Sequence, residues 1–172
     1  HFYEARKKRQ LHKLKLIDKI VKDHNCKEWL QEPLKGKNIL ILSEQGIGDN
    51  LQFARYIFWL KEKFNCNIFF YLDKKISHIF KNCPCKIVND LTQIKNLDFY
   101  QHLLTLQYIH FKIENNFKRC IPFIPKNDTV DLNWKNKLKV FKKPLIAIQW
   151  KGNENFLDDQ QRSVPLKFFQ DL

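Results

Sequence analysis

The stretch that decides the fold is NILILSEQGIGDNLQFARYIFWLKEKF, residues 38–64. It opens with the apolar run NILILS (38–43), which is typical of a strand buried on both faces of a parallel sheet. Apolar residues then recur at helical spacing over 49–64 and predict an amphipathic helix. The intervening loop Ser43–Asn50 places two of the chain's four glycines within three residues, directly before Asp49.

Strand and helix patterns alternate further along the chain. The predicted strands are 67–72, 86–88, one within 97–106, and 144–150; the predicted helices are 74–82, a segment around Trp134 and a turn opened by Pro165. This alternation predicts an α/β fold with a Rossmann-like parallel sheet. Upstream, residues 4–24 predict a solvated amphipathic helix, and 25–37 a connector.

Composition limits the classes of protein. Of the 172 residues 44% are hydrophobic, which is typical of a globular chain, and no apolar run approaches the roughly 20 residues of a membrane span. Five cysteines fit no disulfide framework, so we expect reduced thiols and a cytoplasmic protein. The net charge of +13 comes almost entirely from lysine, and without a nucleic-acid motif we do not expect nucleic-acid binding. The chain contains no methionine, and we expect it to be an internal fragment of a longer protein.

The glycine loop suggests a ligand site. Ligands of parallel sheets bind at the carboxyl ends of the strands, where this loop is predicted to lie. Gly46 and Gly48 would permit backbone angles closed to other residues and a close approach by a ligand. The loop is neither a dinucleotide fingerprint, whose third glycine position is Leu51 here, nor a Walker loop. Asp49 has two open interpretations: a helix N-cap that needs no catalysis, or a general base toward a substrate hydroxyl.

Three segments, in order, resemble the motifs of one family. GKNILILSEQGIGDNLQFARYIFWL (36–60) resembles a signature of bacterial tetratricopeptide-repeat proteins that carry a glycosyltransferase-like C-terminal region, approximately G-K-[TS]-hydrophobic-E-Q-G-[LI]-G-D-x-[LI]-Q-F-x-R-Y. LDFYQHLLTLQ (97–107) and IAIQWKGNENFLDDQQRSVPL (146–166) resemble two later motifs of these proteins. The family is similar to the heptosyltransferase group of GT-B glycosyltransferases and, more distantly, to protein O-GlcNAc transferases.

The resemblance implies a domain organisation and an activity. Residues 1–35 would be the tail of a helical repeat region, 36–143 the acceptor-side Rossmann-like domain of a GT-B fold, and 144–172 the start of the donor-side domain with its first strand. The implied reaction transfers a sugar from a nucleotide-sugar to a hydroxyl of a glycan or protein acceptor, with inversion. It implies no metal and no cofactor.

The resemblance also implies roles for particular residues. Asp49 would be the catalytic base. The substrate-binding residues would be Gln45, Gly46, Gly48 and Asn50, and the donor phosphate would be held by Gly152, Asn153, Arg162 and Ser163. Arg162 could instead form a surface ion pair with Asp158 or Asp159, and Trp150 could pack in a core or stack on a sugar.

A second interpretation is a non-catalytic, GT-B-derived module in a repeat-mediated assembly protein. Glu154 stands where the family has proline, and a histidine common in that loop is missing, which leaves room for this alternative. The chain's six histidines are assigned no role.

Overall fold

A computed structural model describes residues 11–44, 46–117, 122–142, 144–152 and 163–170. The strands are β1 (Lys27–Glu28), β2 (Asn38–Leu42), β3 (Asn67–Tyr71), β4 (Lys86–Val88) and β5 (Phe99–His102). The helices are α1 (Leu11–His24), α2 (Ile47–Phe53), α3 (Arg55–Phe64), α4 (Thr105–Glu114) and α5 (Asp128–Leu138). Short 3₁₀ helices cover Ser77–Phe80, Leu91–Gln93 and Leu166–Phe169.

The five strands form one parallel sheet in the order β1-β5-β2-β3-β4. The predicted α/β fold with a Rossmann-like parallel sheet is therefore confirmed. Strands β4-β3-β2-β5 follow the 3-2-1-4 order of doubly wound sheets. In this order the chain adds strands on one side of strand 1, which is β2 here, and then on its other side. The topological switch point thus lies between β2 and β5, where Leu42 is in register with His102.

Strand β2 is buried from both sides, which explains its continuous apolar sequence. Ile39 and Ile41 belong to the core beneath α2, α3 and α4, while Leu40 and Leu42 pack on the opposite face. The side chains alternate because successive residues of a strand point to opposite faces of the sheet.

Helix α1 is not a solvated helix, as the sequence predicted, but covers the second face of the sheet. Ile20 is fully buried there with Leu40 and Leu42, and Leu16 and Ile17 pack against the same cluster. An apolar face of a sheet is stable only when another element buries it, and here the apolar side chains of α1 bury it. The predicted connector 25–37 also contains a strand that the sequence did not predict, β1, which pairs with β5.

The predicted helix 49–64 is two helices, α2 and α3, with a break at Ala54. The Ala54 N–H donates to the Asn50 carbonyl, and Ala54 ends one helix and begins the next. The chain divides into two compact units, one ending at Lys126 and one beginning at Asn127. The domain boundaries at 35/36 and 143/144 stay a prediction.

In the second unit, the prediction of a strand over 144–150 is wrong, because these residues form neither strand nor helix. A strand needs a neighbour to complete its hydrogen bonds, and the described residues of this unit offer none. Ile146 and Trp150 are instead 61% and 39% exposed, so Trp150 does not pack in a core. Where the sequence predicted a helix with Pro165 in its first turn, the described residues form the short 3₁₀ helix Leu166–Phe169, with Pro165 as its N-cap.

Candidate functional site

The candidate site lies at the carboxyl edge of the sheet, at the switch point. Strands β2 and β5 end side by side there, and the Leu103 N–H donates to the Leu42 carbonyl over 3.0 Å. The loop after β2 leads into α2, and the turn after β5 leads into α4. The glycine loop therefore occupies the edge at which sheets of this order bind ligands.

A buried carboxylate fixes the two strand ends to each other. Glu44 is fully buried, and its Oε2 accepts a hydrogen bond of 3.1 Å from the Leu104 N–H at the start of α4. Its Oε1 lies 3.4 Å from Nδ1 of the buried His102, within ion-pair distance but outside hydrogen-bond geometry. Burying a carboxylate is costly unless it is hydrogen-bonded, so these contacts hold the end of β2 in one position.

Asn50 braces the glycine loop from within. Its Nδ2 donates to the carbonyl oxygens of Glu44 (3.3 Å) and Gly46 (2.9 Å), and the residue is 3% exposed. Its Oδ1 is buried without a hydrogen-bond partner among the described residues. The side-chain nitrogen of Asn50, a residue predicted to bind substrate, is therefore engaged with the loop backbone, and its Oδ1 is buried away from solvent.

Asp49 is not the N-cap of α2 but its third residue. The N-cap is Gly46, whose N–H donates to Asp49 Oδ2 over 3.0 Å. This reach-back contact stabilises the helix start, as the acidic partner of a capping box does. In the described part of the chain no group donates to Oδ1, and the side chain is only half-buried. One oxygen is thus anchored and the other is open, which orients the carboxylate for accepting a proton.

The two loop glycines do not have the special backbone angles that the sequence argument assigned to them. Gly46 has an extended backbone with φ −88°, as an N-cap residue usually has, and Gly48 lies inside α2. Positive φ occurs instead at Gly36, at +72°. The other explanation, close approach by a ligand, remains for Gly48, because a Cβ added there would meet nothing within 4 Å.

A cavity of about 470 Å³ opens beside Gly48. Its walls are mainly apolar, with two polar side chains on α2 and α3, and the lining residues are Gly48, Leu51, Gln52, Arg55, Pro122, Phe123 and Ile124. Ligand sites commonly combine an apolar wall with a few placed polar groups. The cavity therefore offers room for a ligand beside Gly48, the residue directly before Asp49 in α2.

The second unit brings together two of the four residues predicted to bind donor phosphate. The Gly152 N–H donates to Ser163 Oγ over 3.2 Å. The backbone of the same segments is also joined, by the Val164 N–H and the Trp150 carbonyl at 3.0 Å. Asn153 and Arg162 lie outside the described residues, as does Gln45 of the glycine loop.

Sequence reasoning gave no role to Glu44 or His102, two deeply buried polar residues of the site. The signal present in the sequence is a polar residue placed at the end of a buried strand: Glu44 follows β2, and His102 ends β5. Because parallel neighbours end at the same edge, two such residues are expected to meet. The spacing of the histidines along the chain carries no information on this pairing of strand ends.

In the part of the chain that the structure describes, no group of three or more His, Cys, Asp and Glu side chains could hold a metal ion. Nor is any described helix long and apolar enough to cross a bilayer. No family model matches this sequence, and searches of characterised proteins and of solved structures find no match either.

Proposed function

We propose that the chain is part of a glycosyltransferase, which moves a sugar from a nucleotide-sugar to an acceptor hydroxyl of a glycan or protein. The observation that carries the proposal is the position of Asp49. Its half-buried carboxylate lies on the loop at the switch point, with Oδ2 bound by Gly46 and Oδ1 open. This is the edge where doubly wound sheets hold their ligands.

In the proposed reaction, Asp49 Oδ1 takes the proton of the acceptor hydroxyl. The hydroxyl oxygen forms a bond to the anomeric carbon as the bond from that carbon to the donor phosphate breaks, which inverts the centre. The electron pair leaves with the nucleoside diphosphate. The hydrogen bond from Gly46 fixes the carboxylate in one orientation, and the Glu44 and Asn50 contacts hold the loop that carries it.

The substrates in this proposal divide between the two units. The acceptor would approach over Gly48, using the cavity beside it, and Gln45, Gly46 and Asn50 would complete its contacts. The donor phosphate would bind at Gly152, Asn153, Arg162 and Ser163. No cofactor is needed, and a cytoplasmic location suits the thiols of Cys26, Cys66, Cys83 and Cys85, which are all free.

The direct test is Asp49→Asn in the full-length protein. The amide oxygen can still accept from the Gly46 N–H, so the start of α2 is retained while the base is removed. General-base catalysis contributes about 10²–10⁴-fold, so transfer should fall by at least about 100-fold while donor binding stays the same.

Asp128→Asn is the matched control, because Asp128 is also a carboxylate in the first turn of a helix, α5. Both substitutions weaken a similar helix-dipole interaction of about 0.3–1 kcal/mol, but only Asp49→Asn should stop transfer. Equal turnover in the two variants would rule out Asp49 as the general base.

A second candidate is the non-catalytic module of a repeat-mediated assembly protein. The hydrogen bond from Gly46 to Asp49 favours it, since that contact stabilises α2 without any chemistry. The two candidates differ in whether the protein binds a nucleotide-sugar. A module that serves only assembly has no need of a donor.

A further inference from the structure

A second cavity, of about 540 Å³, lies along the carboxyl ends of β2, β3 and β4. Its lining residues are Ser43, Tyr71, Leu72, Asp73, Lys74 and Asn89. The strand ends are fixed to one another, by the Ser43 N–H on the Tyr71 carbonyl at 3.2 Å and the Leu72 N–H on the Val88 carbonyl at 3.0 Å. The ends of these three neighbouring strands therefore form one hydrogen-bonded base of the cavity.

Three polar side chains that line this cavity have unused hydrogen-bonding capacity. Asp73 Oδ1 accepts from the Lys75 N–H at 2.8 Å, while Oδ2 has no partner among the described residues. In the same part of the chain, neither the Lys74 ammonium nor the side-chain amide of Asn89 takes part in a hydrogen bond or ion pair with protein. The cavity thus combines a carboxylate, an ammonium group and an amide that donates and accepts.

We propose that this cavity binds a vicinal diol of a sugar ring, with Asp73 accepting from the two hydroxyls and Asn89 bonding to the ring's polar edge. Hydrogen bonds to a carboxylate are about twice as strong as those between neutral groups, and one carboxylate can accept from two neighbouring hydroxyls. In the dinucleotide-binding sheets of this strand order, an acidic residue about 20 residues beyond the glycine loop hydrogen-bonds the ribose 2′-OH. Asp73 follows β3, which holds place 2 in the 3-2-1-4 order of strands β4-β3-β2-β5.

The diol could come from a glycan or from the ribose of a nucleoside. The glycine loop does not favour a phosphate beside it, because the Asp49 carboxylate already occupies the start of the seven-residue α2. Binding of a diol does not depend on the proposed transferase activity. Only the assignment of the diol to an acceptor glycan rests on that proposed function.

The test measures binding to the chain by ligand-observed NMR titration. The pyranose probes are methyl α-mannopyranoside and its 3-deoxy analogue, which has no vicinal diol, and the nucleoside probes are adenosine and 2′-deoxyadenosine. We expect one diol probe of the two to bind with a Kd of about 1 mM, and its deoxy analogue at least about tenfold more weakly. A preference for the pyranose identifies a glycan site, and a preference for adenosine a nucleoside site.

Asp73→Asn should weaken binding of the diol probe by about tenfold or more while keeping an oxygen for the Lys75 N–H. Asp90→Asn is the matched control. Asp90 follows β4 and, like Asp73, accepts a hydrogen bond from the backbone N–H two residues later, that of Thr92 at 3.0 Å. Unlike Asp73, it does not line the cavity. The Asp90→Asn variant should bind the probe as the unaltered chain does. Circular dichroism verifies that both variants fold.

Three results would overturn the diol site: no binding of either diol at about 10 mM, equal binding of diol and deoxy probes, or equal losses in the Asp73 and Asp90 variants. Asp49→Asn should leave diol binding unchanged. Diol binding combined with full turnover of Asp49→Asn would overturn only the base. Absent diol binding combined with an inactive Asp49→Asn would overturn only the diol site.

Discussion

Replacing Gly48 by alanine should change stability and activity in opposite directions. Gly48 is the second residue of α2, its backbone is not left-handed, and an added Cβ would meet nothing within 4 Å. Alanine is about 0.8–1.0 kcal/mol better than glycine in a helix interior, and a compatible Gly→Ala change typically stabilises by about 0.4–1 kcal/mol. Gly48→Ala should therefore raise the free energy of unfolding by about 0.5–1 kcal/mol and Tm by about 1–4 °C.

The same methyl group should impair function, because Gly48 lines the cavity proposed for the acceptor. Urea unfolding followed by tryptophan fluorescence measures stability, and turnover measures use of the site. Two other glycines supply controls of opposite sign. Gly36→Ala, at φ +72°, should cost about 1–2 kcal/mol, and Gly46→Ala a few tenths, because glycine is the better N-cap.

Two outcomes would refute this reasoning about Gly48. A loss of more than about 1 kcal/mol in Gly48→Ala would mean that the space around this residue is not open, since an unhindered helical alanine stabilises. A stabilised variant with unchanged turnover would mean that no substrate approaches this face of α2.

Glu44→Ala should cost about 1–3 kcal/mol in urea unfolding, because it leaves the buried Leu104 N–H without its acceptor; a cost below about 0.5 kcal/mol would contradict the anchoring role. The Asn38 N–H, and then Lys37, lower the pKa of Asp98, so this carboxylate stabilises the fold above its unfolded pKa near 4 and the stabilisation is lost as pH falls through the lower folded value. Asp98→Asn should accordingly flatten the acid side of the stability curve, and an unchanged slope in pH-dependent unfolding would refute the assignment. Ile20→Ala should cost about 2–5 kcal/mol, whereas Val21→Ala on the outer face of α1 should stay within about 0.5; similar costs would contradict the packing of α1 on the sheet.

The core of the fold could be predicted from local sequence because β2 is buried on both faces. Its unbroken apolar run, followed by a loop and a helical stripe, is enough to indicate a parallel sheet. Strand β1 could not be found this way, since two residues carry no periodicity and depend on pairing with β5. The strand predicted over 144–150 failed for the related reason that an apolar run does not supply its own hydrogen-bonding neighbour.

The parts of the site that lie in one segment of the chain could be predicted from the sequence. The contacts between two distant segments could not. The glycine loop and Asp49 come from the turn after β2, so the order of strand and helix places them at the carboxyl edge. The contact between Glu44 and Leu104 joins positions 60 residues apart. It follows from the register of β2 and β5, which only the folded sheet reveals.

The most direct test of the central claim is a thermal-shift titration of the full-length protein with UDP-, GDP-, ADP- and CMP-sugars. A ligand that binds only the folded state stabilises it by about 2.7 kcal/mol at 100 times its Kd. The proposed glycosyltransferase function predicts a rise in Tm that grows with concentration for one nucleotide class. The Asp49→Asn variant should show the same rise. A flat Tm across all four classes would contradict the transferase and favour the assembly module.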